Sequence, residues 1–126
     1  MIILGIETSC DETGISLVQD GERILANSVE FQDEFHSRFG GVVPEIAARQ
    51  HAQKLGPLLK LTMEKSELTL EDIDGIGVTN GPGLIGSLLT GYMFGRGIAA
   101  GLKVPLIPVN HILAHTYMAR MIFPGE

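Results

Sequence analysis

The chain has 126 residues, of which 44% are hydrophobic, and a formal net charge of −6 at pH 7. This length fits one domain, and the hydrophobic share is large enough to form a core, which excludes an intrinsically disordered chain. The single cysteine excludes an internal disulfide framework and is compatible with a reducing, cytoplasmic compartment. The negative net charge excludes a protein that binds nucleic acid over its whole surface.

The acidic side chains lie almost entirely in the first part of the sequence. Residues 1–74 carry 14 acidic and 6 basic side chains, whereas residues 75–126 carry 1 acidic and 3 basic side chains. An anionic ligand therefore meets far less repulsion from the second part than from the first.

The first elements in chain order are three strands that form a meander. Apolar runs predict strands at 2–6, 15–18 and 24–31, and Asp20-Gly21 is typical of the hairpin turn between the second and third strands. The segment at 7–14, between the first two strands, is a polar turn. Hence the chain opens with two antiparallel connections.

Helices and strands alternate in the remainder. We expect a helix that begins at Pro44 and is kinked or split at Gly56-Pro57, a strand at 73–79, a helix at 83–102, a strand at 105–109 and a last helix from His111. The order βββαβαβα predicts an α/β fold, with helices packed on a mixed five-stranded sheet. No linker is visible, so residues 1–126 form a single lobe. His36 and His51 receive no role.

The predicted helix at 83–102 is apolar and nearly long enough to span a membrane. Arg96 in its interior argues against a membrane span, and we expect none. The spacings Gly91-x-x-x-Gly95 and Gly97-x-x-x-Gly101 indicate a glycine face that lets another helix come close. A second subunit can supply that helix, which predicts a possible homodimer through helix 83–102.

The segment 81–86 matches the pattern G-x-G-x-x-G between a strand and a helix. A dinucleotide site is disfavoured, because Pro82 lacks a backbone N–H and no carboxylate follows at the distance expected for ribose binding. Two interpretations are left open. The turn leads either to an anion site at a helix N-terminus or to a tight connection that requires glycine.

The polar segment 8–13 joins the first two strands. Its small hydroxyls and exposed N–H groups can bind phosphate or carboxylate oxygens, and Asp11 and Glu12 can hold a cation or act as a base. The alternative is an ordinary hydrophilic hairpin in which Cys10 is a small buried apolar residue.

His111 and His115 are four residues apart and directly follow an apolar run. On a helix, this spacing places both imidazoles on one face, where they can bind the same metal ion. The alternative is one capping and one half-buried imidazole. No glutamate follows His111, so the H-E-x-x-H pattern of metalloproteases is not met. Two ligands also leave the site incomplete.

Five segments together resemble one family, the TsaD enzymes that form threonylcarbamoyladenosine in tRNA. The segments lie at 4–14, 40–51, 72–74, 79–84 and 109–115, and they read LGIETSCDETG, GGVVPEIAARQH, DID, TNGPGL and VNHILAH. The resemblance implies a fold of two ribonuclease-H-like lobes, as in actin, Hsp70 and the sugar kinases. The predicted βββαβαβα order fits the first lobe.

The resemblance also implies a reaction and a set of site residues. A threonylcarbamoyl-adenylate donates its threonylcarbamoyl group to N6 of a tRNA adenosine beside the anticodon. His111 and His115 become metal ligands, for iron or zinc, and an aspartate of the second lobe completes the site. Thr8, Ser9 and Cys10 become the phosphate-facing or substrate loop, with Asp11 and Glu12 as catalytic or positioning acids.

The chain is much shorter than members of this family and lacks the sequence that would form the second lobe, so we expect either a fragment of a longer protein or a first-lobe protein that another polypeptide completes. We therefore expect it to be the metal-binding N-terminal lobe, inactive alone. The implied partners are tRNA, a paralogous lobe protein and an ATPase of the same complex. The alternative is a non-catalytic assembly or dimerisation module of that complex.

Overall fold

The computed structural model describes residues 1–8, 12–31, 44–82 and 85–110. These residues form five strands, two helices and one short 3₁₀ helix. The strands are β1 (Ile2–Glu7), β2 (Glu12–Gln19), β3 (Arg23–Phe31), β4 (Gly75–Gly81) and β5 (Leu106–Asn110). The helices are α1 (Pro44–Ser66) and α2 (Ile85–Leu102), and the 3₁₀ helix is Leu70–Asp72. The last helix predicted from His111 lies outside the described residues.

The five strands form one mixed sheet in the order β3-β2-β1-β4-β5. β2 pairs antiparallel with both β1 and β3, whereas β4 pairs parallel with both β1 and β5. This topology follows from the connections, because short hairpins join antiparallel strands and a helical crossover joins parallel ones. The predicted mixed five-stranded sheet is confirmed.

The turn between β2 and β3 has the chemistry that the sequence indicated. Asp20 and Gly21 have positive φ angles of 54° and 69°. Two successive positive φ angles are typical of a type I′ hairpin turn, which matches the twist of the flanking strands, and Asp-Gly is a preferred pair there. The predicted hairpin is confirmed.

Both helices cover the same face of the sheet, and the core lies between them and that face. Because side chains alternate along a strand, one set of strand residues points to the helices and the other set points away. The buried apolar core consists of Leu4, Ile6, Ile15, Leu17, Leu55, Leu58, Ile73, Ile76, Val78 and Ala99.

Helix α1 begins at Pro44, as predicted, but it is not split at Gly56-Pro57. Proline lacks the N–H that would bond to the carbonyl of Gln53. Gln53 and Pro57 are exposed, so water can bond to that carbonyl. Leu55 and Leu58 are buried on the opposite side and hold both halves of the helix against the sheet.

The glycine pair of α2 packs inside the lobe, so its prediction as a packing face for a second subunit is wrong. Gly91 and Gly95 are both buried. A Cβ added at Gly91 would collide with Thr8, and one at Gly95 would lie 2.6 Å from Cγ2 of Val78. These glycines therefore let α2 lie close to strands β1 and β4.

No helix within the described parts of the chain is long and apolar enough to span a membrane.

Candidate functional site

Three segments that the sequence singled out follow strands whose ends lie at one edge of the sheet. β1, β4 and β5 are mutually parallel, so their carboxyl ends at Glu7, Gly81 and Asn110 lie at the same edge. The polar loop 8–12, the turn at 81–85 and the histidine segment all continue directly from these three ends. In open α/β sheets, ligands bind outside the carboxyl ends of parallel strands. We call this place the carboxyl edge.

A hydrogen bond joins two of the strand ends at the carboxyl edge. The hydroxyl of Thr79 in β4 donates to Oε2 of Glu7 in β1, over 2.7 Å. Thr79 is buried, and Glu7 is half-buried. A hydrogen bond to a carboxylate fixes the orientation of that carboxylate, which leaves its other lone pairs in a defined position.

Glu7 and Glu12 face the same hollow on the side of the sheet away from the helices. The hollow has a volume of about 690 Å³, and Glu7, Glu12, Ser16 and Thr79 lie among its lining residues. Most of the remaining lining is apolar, including Val109. Two carboxylates and two hydroxyls thus lie beside an apolar surface on this side of the sheet, and one of the hydroxyls, that of Thr79, is bonded to Glu7.

The amino-terminal end of the polar loop is hydrogen-bonded to α2. Thr8 follows β1, is buried, and donates a hydrogen bond of 2.7 Å to the carbonyl of Ser87 in the first turn of α2. Its hydroxyl is therefore used inside the lobe. The hydroxyl of Ser87 is also buried and has no hydrogen-bond partner among the described residues.

The residue directly after the carboxyl-terminal end of the loop is hydrogen-bonded to α1. Thr13 Oγ1 lies 2.7 Å from Nδ1 of His51, and both side chains are fully buried. Either group can donate, depending on whether the imidazole carries its proton on Nε2 or on Nδ1. The two ends of the loop are thus held by different helices.

Of the residues predicted for the site, the structure describes Thr8 and Glu12, and it brings both to the carboxyl edge. Their roles stay predictions. Five others lie outside the described residues, namely Ser9, Cys10, Asp11, His111 and His115. Within the described ranges, no three histidine, cysteine or acidic side chains come close enough to hold a metal ion.

Glu7, Thr79 and the Thr13–His51 pair were not predicted from the sequence. The signal for His51 was present, because it lies four residues from both Ala47 and Leu55 and so belongs to the buried stripe of α1. For Glu7, the alternation along β1 placed its side chain opposite Ile6, away from the core. Its contact with Thr79 depends on the neighbouring strand and had no local signal.

Comparison with known sequences gives one consistent family. Residues 23–126 match the family model described as "TsaD: tRNA N6-adenosine threonylcarbamoyltransferase". A protein of that name from Fusobacterium nucleatum is 51% identical over 117 residues, which are 93% of this chain and 34% of the relative. Another from Fervidobacterium nodosum is 50% identical over 124 residues, 98% of this chain and 36% of the relative. The chain thus spans about a third of the length of these relatives.

Solved structures share the fold. YeaZ from Pseudomonas aeruginosa superposes with a TM-score of 0.73 at 21% identity, over 94% of this chain and 48% of YeaZ. RuvC from T. thermophilus, in complex with a Holliday junction substrate, superposes with a TM-score of 0.55 at 12% identity, over 92% of this chain and 68% of RuvC. At these identities the likeness concerns the fold alone, and it confirms the predicted ribonuclease-H-like α/β lobe.

Proposed function

Because the chain belongs to the TsaD family of tRNA N6-adenosine threonylcarbamoyltransferases, we propose that it is the metal-binding N-terminal lobe of such an enzyme. The reaction moves the threonylcarbamoyl group of threonylcarbamoyl-adenylate to N6 of an anticodon-adjacent tRNA adenosine. The protein would act in the cytoplasm, where tRNA is modified.

The single observation that carries this proposal is the convergence at the carboxyl edge. The strand ends at Glu7, Gly81 and Asn110, each followed in the sequence by one of the family motifs, lie at one edge of one sheet. Function resides in such a site rather than in the fold itself.

His111 and His115 would hold one iron or zinc ion, together with a ligand from outside this chain. The position of Asn110 supports this assignment, since β5 brings the chain to the carboxyl edge directly before His111, and both metals accept imidazole nitrogen. A bound metal ion would supply Lewis-acid polarisation of the threonylcarbamoyl carbonyl.

The polar loop would bind and orient the adenylate. The hydroxyl of Ser9 and the backbone N–H groups around Thr8 and Cys10 would contact phosphate oxygens. As the N6 amine attacks the carbonyl carbon, the bond from that carbon to the phosphate oxygen breaks and AMP leaves. Asp11 or Glu12 would accept the proton that the amine loses.

This lobe alone should be inactive, because the second lobe of the family would supply the further metal ligand and most contacts to the nucleotide. The tRNA would approach the part of the chain that is poor in carboxylates, residues 75–126. A paralogous lobe protein and an ATPase of the same complex would be the protein partners.

Metal analysis tests the ligand assignment directly. The purified 126-residue chain is loaded with Zn²⁺ or Fe²⁺ and desalted, and the metal content per chain is measured. We expect His111→Ala/His115→Ala to lose most of the bound metal, whereas His36→Ala, which removes a histidine elsewhere, retains it. Equal metal in all three proteins would refute the assignment.

An activity assay tests the reaction. The chain is incubated with threonylcarbamoyl-adenylate and tRNA, either alone or together with the second lobe and the protein partners. We expect modified tRNA only in the complete mixture. Multiple turnovers by the chain alone would overturn the expected inactivity, and no modification in the complete mixture would overturn the proposed enzyme.

A second candidate function is assembly, supported by the outer surface of α2. Ile85, Leu89 and Met93 follow one another at intervals of four residues and are 83%, 56% and 56% exposed. Together with Tyr92 they form an apolar stripe along the helix, which we call the outer stripe. An exposed apolar patch of this kind marks a protein interface. The paralogous lobe protein is the proposed occupant, and a second copy of this chain is the alternative.

A further inference from the structure

Two buried threonines flank the polar loop and attach it to different helices. Thr8, before the loop, donates to the carbonyl of Ser87 in α2. Thr13, after the loop, is hydrogen-bonded to His51 in α1. All of these side chains have at most 1% of their surface exposed. The loop is therefore tied to the helical layer at both ends by bonds that water does not reach.

The Thr13–His51 pair is not required by packing alone. An imidazole and a hydroxyl in an apolar interior cost free energy unless they are paired, and a valine would fill the volume of Thr13 without any polar group. His51 also interrupts an otherwise apolar stripe of α1 between Ala47 and Leu55. A directional bond at this point fixes position in a way that apolar contacts do not.

The bond acts at the residue beside Glu12. Side chains alternate along β2, so Thr13 points to α1 while Glu12 points to the hollow on the other side of the sheet. The backbone between these two neighbours is a single peptide unit. Any shift of Thr13 relative to α1 therefore moves Glu12 relative to Glu7 and Thr79, which line the same hollow.

We propose that Thr13 and His51 are positioning residues, whose buried hydrogen bond sets the location of Glu12 at the carboxyl edge. They act through Glu12, without contact to the reacting atoms. The inference rests on the proposed function, because the position of Glu12 matters for transfer only if this lobe belongs to the transferase.

The chain offers a matched control for removing the hydroxyl of Thr13. Thr62 is also fully buried in α1, and its hydroxyl donates to the carbonyl of Leu58 within the same helix, over 2.7 Å. Thr13→Val and Thr62→Val thus each delete one buried hydroxyl and keep the side-chain shape. Only Thr13→Val breaks a bond between α1 and β2.

The first measurement is hydrogen exchange of the intact chain, which does not depend on activity. We expect peptides that contain residues 12–16 to exchange at least tenfold faster in Thr13→Val than in the wild type, and at the wild-type rate in Thr62→Val. Thr13→Ser should restore protection because it keeps the hydroxyl. His51→Asn should do so as well, because the oxygen and nitrogen of its amide are attached to Cγ, the same carbon that carries Nδ1 in histidine. His51→Phe has no polar atom there and should not restore protection. Equal exchange in Thr13→Val and Thr62→Val would overturn the inference.

The second measurement is transfer kinetics in the complete mixture of lobes and partners, at a temperature where all variants are folded. We expect kcat/KM for the adenylate donor to fall at least tenfold in Thr13→Val and less than twofold in Thr62→Val, with recovery in Thr13→Ser. If the wild type transfers normally and Thr13→Val has the same kcat/KM as the wild type, the positioning role is overturned. Absence of transfer by the wild type would instead overturn the proposed function.

Discussion

Thr8 occupies the space that the absent side chain of Gly91 leaves on α2. A Cβ at Gly91 would lie 3.2 Å from Cγ2 and 3.3 Å from Cβ of Thr8, and closer still to the hydroxyl. That hydroxyl is held by the carbonyl of Ser87, one turn earlier on the same helix. The close approach of α2 to the end of β1 therefore depends on a small residue at position 91.

Replacing this glycine should destabilise the lobe. In Gly91→Ala, the methyl group must displace Thr8 and strain its bond to Ser87, and such overpacking costs about 1–3 kcal/mol. Gly97 in the same helix is the matched control, because a Cβ there would meet nothing within 4 Å. Gly97→Ala should stabilise the lobe by up to about 1 kcal/mol through helix propensity. Urea denaturation of both variants gives the two free energies of unfolding, and a stabilised Gly91→Ala would contradict the packing described above.

The bond between Thr79 and Glu7 gives a second prediction on stability. Thr79→Val keeps the shape of the side chain but removes the donor to Glu7 Oε2. Hydrogen bonds to charged groups contribute about 1.5–3 kcal/mol when buried, and we expect about 1–2 kcal/mol here because Glu7 is half-buried. Thr79→Ser keeps the hydroxyl and should lose clearly less. Chemical denaturation distinguishes them, and an unchanged free energy of unfolding in Thr79→Val would show that the bond contributes nothing to stability.

The amino terminus gives a prediction on pH dependence. The Met1 ammonium lies 2.6 Å from Oδ1 of Asp20, and this hydrogen bond raises the pKa of the amine above its ordinary value of 8.0. A folded-state pKa above the unfolded one means that the stabilisation is complete below pH 8 and is lost as pH rises through the folded-state pKa. The free energy of unfolding should therefore decline above pH 8.

Asp20→Asn isolates this effect. Asparagine keeps the left-handed backbone of the turn, where residue 20 has a φ of 54°, and Asn-Gly is a favoured type I′ pair. The variant should consequently remain folded but show a smaller decline in stability above pH 8 than the wild type. The ion pair is exposed, so the difference should shrink at high salt. Mass spectrometry should first confirm that both proteins retain Met1. Identical pH profiles of the free energy of unfolding would then show that the ion pair contributes nothing to stability.

The fold was predictable because its signals are local. Alternating or continuous apolar runs marked each strand, Asp20-Gly21 marked the hairpin, and Pro44 marked the start of α1. The polar loop was recognisable for the same reason, since its residues are contiguous, and its role as a site stays a prediction. The Thr13–His51 and Glu7–Thr79 bonds were not predictable, because their partners are 38 and 72 residues apart, respectively.

In helix α2 the glycine spacing was recognised from the sequence, but the direction in which the glycine face points was predicted wrongly. Its buried face consists of Ser87, Gly91, Gly95 and Ala99, whereas Ile85, Leu89 and Met93 are exposed. The most deeply buried residues of α2 are thus small, while large apolar residues are found both among the exposed ones and, as Phe94, Ile98 and Leu102, partly buried against the core. The close approach of α2 to β1 and β4 requires the small face to point inward.

The outer stripe of α2 gives the last prediction, which concerns association. Leu89→Glu places a carboxylate at the centre of the stripe, where it is solvated in the free lobe but would be buried in a complex. An unpaired buried charge costs on the order of 3 kcal/mol, which corresponds to about a hundredfold weaker binding. The fold itself should be unaffected, because Leu89 is 56% exposed.

Leu70 provides the control for this substitution, since it is 40% exposed but lies in the 3₁₀ helix, away from the stripe. Leu70→Glu should associate like the wild type, while Leu89→Glu should lose binding to the paralogous lobe protein. Sedimentation of the chain alone and of its mixture with that protein separates the two occupants. Loss in the mixture only would assign the stripe to the paralogous partner, loss in the chain alone would assign it to a homodimer, and no loss in either would exclude α2 as the interface.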